Sequence, residues 1–197
     1  GVLMELRNIT LRFGGVVALD SIGLTNVVRG LNQGVDPGSN TIGSVTRFVI
    51  GVRVNQTAVE LERELSRLTW KVEAGAQFVV TQPVFAPERL KAFKERTSEL
   101  SVPLVAGLRP LTSLREAEFL HNEVPGIYLP DTILSRMAEA TASGQGAAKE
   151  EGVRIALETF EAIRDSIQGV HINVPSENLE GALKILAGVR GVHGSGD

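Results

Sequence analysis

Side-chain amides at the ends of short apolar strands are the first chemistry this sequence offers. The stretch Gly75-Ala76-Gln77-Phe78-Val79-Val80-Thr81-Gln82-Pro83-Val84-Phe85 reads as a buried strand over Phe78 to Val80, with Thr81 and Gln82 at its C-terminal end. In parallel α/β architectures, that end of a strand is where reacting and binding groups are placed. A carboxamide there can donate and accept hydrogen bonds but supplies no proton, so Gln82 is a candidate reader of a ligand edge. The competing reading makes it a loop amide satisfied by neighbouring backbone. Pro83 has no amide hydrogen, so strand pairing is expected to stop near it. Asn55 stands in the equivalent place, after the apolar run from Phe48 to Val54.

Other chemistries find less support. His121 and His171 are single histidines without companions at metal-ligand spacing, so no metal is assigned. The chain has no cysteine, which excludes thiolate metal sites and a disulfide framework and suits a cytoplasmic protein. No pair of carboxylates is positioned by the sequence for acid and base work. Gly144-x-Gly146 follows no strand, and no Gly-x-x-x-x-Gly-Lys-Ser/Thr loop occurs to cradle phosphates.

The elements that must position these amides alternate along the chain. Strands are expected near 48–54, 78–82, 103–108 and 169–174, separated by helices, which argues for parallel βαβ units. The nearly continuous apolar run at 48–54 suits a sheet covered on both faces. Thr57 to Glu60 and Ser113 to Glu116 read as capping boxes. The first opens a helix with Leu61, Leu65, Leu68 and Val72 on one face. Asp20 or Ser21 caps a helix running to about Asn32, and Asp131 caps another. Pro87 suits a first helical turn, with Leu90, Phe93 and Leu100 lining that helix. A long helix reaches about Gln168. Pro175-Ser176 opens the last one, with Leu179, Leu183 and Leu186 inward. Before all of this, residues 5–19 alternate polar and apolar side chains around Gly14-Gly15, as a β-hairpin does.

Four βα units in 197 residues amount to about half of an eight-fold barrel, which usually takes about 250 residues. The expected fold is therefore α/β, a partial (βα)8 TIM barrel with an N-terminal hairpin. The expected division is a hairpin of different origin at 1–19, a partial barrel at 20–191 and a tail at 192–197. A formal charge of −3 leaves no nucleic-acid footprint. No apolar run reaches the ~20 residues of a membrane helix. The start, Gly1-Val2-Leu3-Met4-Glu5, has neither an initiator Met nor the character of a signal peptide, as in a fragment or a processed chain.

Three segments carry a resemblance. Leu19 to Leu24, Lys71 to Phe85 and Glu118 to Ile127 resemble methylenetetrahydrofolate reductase, and most closely the reductase half of bifunctional homocysteine methyltransferase/reductase proteins. The likeness runs from about Asp20 to Gly191. It implies a (βα)8 barrel that binds FAD at the C-terminal ends of its strands, takes a hydride from NAD(P)H, and reduces 5,10-methylenetetrahydrofolate to 5-methyltetrahydrofolate. By the same resemblance, Gln82 reads the pterin and touches the flavin. Lys71 and Glu64 hold the phosphate and ribose parts of FAD, and Asn55 contacts the flavin. Phe119 packs on the substrate or the nicotinamide. Without the resemblance, Lys71 and Glu64 would read as solvated helix residues and Phe119 as core.

The family's general acid, a Glu on the first strand, and its Arg-Gly-Asp stretch after the fourth strand have no counterpart here. Residues 5–19 instead resemble the opening strands of ABC-transporter ATPase domains, with Phe13 where an aromatic stacks on adenine. An ATP-binding module would need the missing phosphate loop. Two functions therefore compete. One is an FAD-dependent reductase of a reduced folate. The other is a non-catalytic half-barrel that folds and self-associates through its open sheet edges.

Overall fold

The computed structural model describes residues 11–13, 16–174 and 178–193. Expectations for 5–10, for Gly14-Gly15, for Pro175-Ser176 and for the end of the tail lie outside the described residues.

Four parallel strands form the central sheet: β3 (Gly51–Val54), β4 (Phe78–Pro83), β5 (Leu104–Leu108) and β6 (Gly169–Ile172), in the order β3-β4-β5-β6. Register is direct, with Val52 beside Val79, Val79 beside Leu104, and Ala106 beside Val170. α2 (Leu61–Glu73) links β3 to β4, and α3 (Pro87–Arg96) links β4 to β5. The crossover from β5 to β6 takes three helices, α4 (Leu114–Glu123), α5 (Asp131–Ala142) and α6 (Gln145–Ile163), then a 3₁₀ turn at Arg164–Ser166. α7 (Leu179–His193) follows β6. The expected long helix ending near Gln168 thus stops at Ile163.

Period-two alternation along the strands sends Val52, Val54, Val79, Leu104 and Ala106 to the helix-covered face. There they meet Leu68, Leu90, Phe93 and Ile163 in one buried cluster, with Leu61, Leu65 and Val72 packed against it. Leu100 also packs there, from beyond the end of α3. On the other face, Arg53, Phe78, Val80 and Val105 are half-buried. Coverage of both faces, expected from the apolar run at 48–54, is therefore met by helices on one face only among the described residues.

The hairpin is present in its described part: β1 (Leu11–Phe13) pairs antiparallel with β2 (Val16–Leu19). It forms a separate two-stranded sheet and does not extend the central one. α1 (Ser21–Asn32) then starts on the expected cap, Asp20, whose carboxylate accepts from the Ile22 and Gly23 amides at 3.1 and 2.9 Å.

Three local expectations need correction. α2 begins at Leu61, and Glu60 at its N-cap makes no side-chain cap bond. Thr57 is drawn away because its hydroxyl donates to the Gly126 carbonyl, so the Thr57–Glu60 box does not form. At α5 the cap position is Pro130, and Asp131 is already in the first turn, where its charge suits the helix dipole. On α7, Ile185 and Val189 are buried whereas Leu179 and Leu183 are 62% and 56% exposed. The inward stripe is set by packing on α6, where Leu157 fills the space beside Gly188, rather than by the leucines themselves.

Candidate functional site at the C-terminal rim of the sheet

β4 is irregular where it matters. Val80 pairs with Val105 and Pro83 with Gly107, so β4 has one more residue than β5 over this span, a β-bulge around Thr81 and Gln82. Bulges often lie beside binding sites because they re-aim a side chain. Gly107 permits the approach: a Cβ there would lie 3.0 Å from the Gln82 carbonyl oxygen. The buried Thr81 hydroxyl spans the gap, accepting from the Gly107 amide at 2.9 Å and donating to the Gln82 carbonyl at 2.7 Å. Gln82 itself is half-buried between the buried Thr81 and Pro83. Among the described residues no hydrogen bond reaches its carboxamide.

Gln56, buried in the loop after β3, holds the Gln82 main chain. Its side-chain oxygen accepts from the Gln82 amide at 3.1 Å, and its side-chain nitrogen donates to the Gln82 carbonyl at 3.2 Å.

The structure also brings Asn55, Glu64 and Lys71 together, in a closed arrangement. Lys71 is buried beneath β3, donates to the Arg53 carbonyl at 2.8 Å and lies 4.0 Å from Glu64. Burial lowers the Lys71 pKa from its ordinary value, against the opposing effect of Glu64. Glu64 accepts from the Asn55 amide at 3.0 Å. The Asn55 side chain accepts from the Thr57 amide at 3.1 Å, with the Thr57 hydroxyl 3.3 Å away, and Gly126 lies directly against it. Lys71 and Glu64 are thus not the solvated helix residues their sequence context alone suggests.

Phe119 stands apart. It is 56% exposed on α4, whose Ala117 and Leu120 face inward, so it is not core. No hydrogen bond or ring contact joins it to Gln82 among the described residues. On the far side of the rim, Arg109 donates to Glu116 at 2.9 and 2.7 Å and to the Asn173 side chain at 3.4 Å. Glu116 also accepts from the Thr112 amide and hydroxyl. Ser113 does cap α4, but the Glu116 carboxylate of that box serves Arg109 and Thr112 instead of the Ser113 amide.

Sequence reasoning missed Gln56, Thr57, Arg109 and Asn173. The signal available for them was position alone: each follows an apolar strand by one to three residues.

Chemically, this rim can bind and orient. Its two buried-side carboxylates are committed, Glu64 to Lys71 and Asn55, Glu116 to Arg109 and Thr112, so neither is placed as a free proton donor. Among the described residues no cluster of His, Asp or Glu could hold a metal. Asn55, Glu64 and Lys71 point their polar atoms at one another and at backbone. In this arrangement they do not fit the phosphate and ribose of a dinucleotide.

Comparison with known proteins supplies the lineage. The sequence matches the family described as methylenetetrahydrofolate reductase over residues 26–186. A curated relative, methylenetetrahydrofolate reductase 2 of Schizosaccharomyces pombe, is 26% identical over 113 residues, covering 54% of this chain and 17% of the relative. Among solved structures, an uncharacterized protein from Clostridium thermocellum that binds two copies of 5-methyl-5,6,7,8-tetrahydrofolic acid superposes with a TM-score of 0.54 at 18% identity. That alignment covers 73% of this chain and 54% of the other, so it supports the fold. The chain spans about half of that structure and about a sixth of the yeast relative. Four parallel strands flanked by helices and a family match across most of its length place this chain in the methylenetetrahydrofolate reductase family as a partial TIM barrel.

Proposed function

We propose that this chain is the folate-reading half of a methylenetetrahydrofolate reductase. The observation that carries the reading is the Gln82 carboxamide, which lies in the bulge of β4 and meets no hydrogen-bond partner among the described residues, in a chain of this family. A reduced folate presents ring N–H and C=O groups along one edge, and a carboxamide complements such an edge with a donor and an acceptor. The full reaction, hydride transfer from NAD(P)H through FAD to 5,10-methylenetetrahydrofolate, belongs to an intact reductase in the cytoplasm. This chain alone retains FAD weakly or not at all, because three of the four residues assigned to the cofactor are turned inward. It is also very slow with added flavin, because ring opening of the substrate needs a positioned acid, worth roughly 10²–10⁴-fold, and Glu64 and Glu116 are both committed to other partners.

Calorimetric titration of the purified chain with 5-methyltetrahydrofolate tests the reading. Saturable binding that Gln82→Ala weakens at least tenfold is expected, with no visible flavin absorption in the protein as isolated. Absence of binding by the wild-type chain would overturn the folate assignment, and a yellow protein with stoichiometric flavin would overturn the account of FAD.

A second reading, a half-barrel that catalyses nothing and self-associates, is favoured by the two sheet edges that no described strand covers. We propose it as the behaviour of the chain in isolation, with residues 1–19 an addition of different origin to a partial barrel at 20–191 and a tail at 192–197.

A further inference from the structure

The main chain of Gln82 is held without a strand neighbour. The parallel ladder between β3 and β4 ends at Val54 beside Thr81. One residue on, the Asn55 amide has turned away to Glu64, so β3 offers no peptide to Gln82. The side chain of Gln56 takes that place. A primary carboxamide has the same donor and acceptor as a peptide group, and Gln56 uses both ends, on the Gln82 amide and on the Gln82 carbonyl. It is buried, so water does not compete for either bond. Thr81 supports the same carbonyl from the β5 side. The peptide groups on both sides of Gln82 are therefore fixed by two side chains, which sets the direction in which its side chain leaves the main chain.

We propose that Gln56 is a positioning residue for Gln82: it substitutes for the missing strand and aims the ligand-reading carboxamide out of the bulge. The proposal rests on the folate reading of Gln82. Gln56 itself touches no ligand and acts through the Gln82 main chain. Replacing its nitrogen by a second oxygen tests this. In Gln56→Glu the ionised carboxylate still accepts from the Gln82 amide, but it faces the Gln82 carbonyl with no hydrogen to give. The protonated carboxyl restores both bonds.

The expected results follow from that difference. For Gln56→Glu, affinity for 5-methyltetrahydrofolate falls as pH rises through the carboxyl titration, by roughly tenfold, a loss typical of a misaimed binding group. The wild type lacks this dependence over the same window. In a Gln82→Ala background the pH-dependent loss disappears, because the side chain being aimed is gone. An equal loss with and without the Gln82 side chain would show that Gln56 only supports the fold, and would overturn the proposal.

Amide hydrogen exchange without ligand gives a second readout. Gln56→Leu should speed exchange at Gln82 while Val79, in the regular part of β4, stays protected. Unchanged exchange at Gln82 would overturn the clasp. Failure of the wild-type chain to bind the folate would instead sink the reading of Gln82, and the exchange measurement would still decide the clasp.

Discussion

Asn55 and Gly126 are in direct contact across 71 residues of sequence: a Cβ built on Gly126 would lie 1.6 Å from the Asn55 side-chain nitrogen. Gly126 also has φ +80°, a conformation that side chains other than glycine adopt at a cost. The loop after α4 is thereby clamped onto the rim of β3, reinforced by the bond from Thr57 to the Gly126 carbonyl. This contact links the β5–β6 crossover to the far side of the sheet.

Gly126→Ala should therefore destabilise the fold for two separable reasons. The backbone conformation alone costs about 1–2 kcal/mol for an L-residue, and the clash adds to it. Pairing it with Asn55→Gly should recover the clash but leave the backbone term. Urea unfolding of the wild type and the two variants measures this. A Gly126→Ala chain as stable as the wild type would show that the contact is not made in solution.

The N-cap of α1 gives a pH-dependent prediction. The Gly23 amide lowers the Asp20 pKa below its ordinary 3.8, with Arg67 and the Ile22 amide contributing against the cost of burial. A carboxylate lowered in the folded state adds stability above its unfolded pKa, and that contribution disappears as pH falls through the folded one. Asp20→Ala should cost about 0.5–2 kcal/mol near neutrality, the usual value of a lost cap. Asp20→Asn should keep most of the cap but lose its acid dependence. Wild type and Asp20→Asn should then converge in stability as the solution is acidified. Parallel curves across the acid range would rule out this role for the carboxylate. The Arg67 pair, at 3.4 Å and partly exposed, contributes little to the difference.

Lys71 should act in the opposite range. Burial lowers its pKa below 10.5 despite Glu64 nearby. In the window between the folded and unfolded values the unfolded chain binds more protons, so the Lys71 contribution to stability rises with pH there. Below that window the cost of burying the charge is constant. Lys71→Met removes the charge but leaves the Arg53 carbonyl and Glu64 without their partner, a loss of about 1–3 kcal/mol at neutral pH. Denaturant midpoints of both proteins, at neutral and alkaline pH, check the sign. A wild-type advantage that shrinks as pH rises through the window would contradict it.

The strands and their order could be read from the sequence because apolar runs of strand length, spaced by helix-length segments, admit few parallel arrangements. The place of Gln82 at the end of β4 was legible for the same reason, as a polar residue closing such a run. Gln56 was not: it differs from any loop glutamine only through its contact with a strand 26 residues away. Thr57 and Glu60 satisfied the local pattern of a capping box, but a tertiary partner, the Gly126 carbonyl, took the hydroxyl. Leu179 and Leu183 failed similarly. Helical spacing identifies a stripe, and only packing against α6 decides that Ile185 and Val189 form it. Lys71 misled most, since a helix lysine is usually solvated and this one reaches a strand carbonyl.

The sheet edges carry the last prediction. The hairpin does not cover the edge of β3: among the described residues β1 and β2 pair only with each other, and β3 and β6 each have a single strand neighbour. Backbone groups along a parallel edge favour pairing with another strand, and full closure alone removes such edges. All four strands run in one direction. A two-fold axis parallel to them would therefore bring the β6 edge of one copy beside the β3 edge of another, in parallel, at both seams. Covering the half-buried face that carries Phe78, Val80 and Val105 would add apolar burial to that pairing. Self-association should appear in light scattering as mass rising with concentration. Amide exchange over Gly169–Ile172 should slow in step with it. A chain whose mass stays that of one copy at every concentration, with exchange at β6 unchanged, would mean that its edges are covered from within the same molecule.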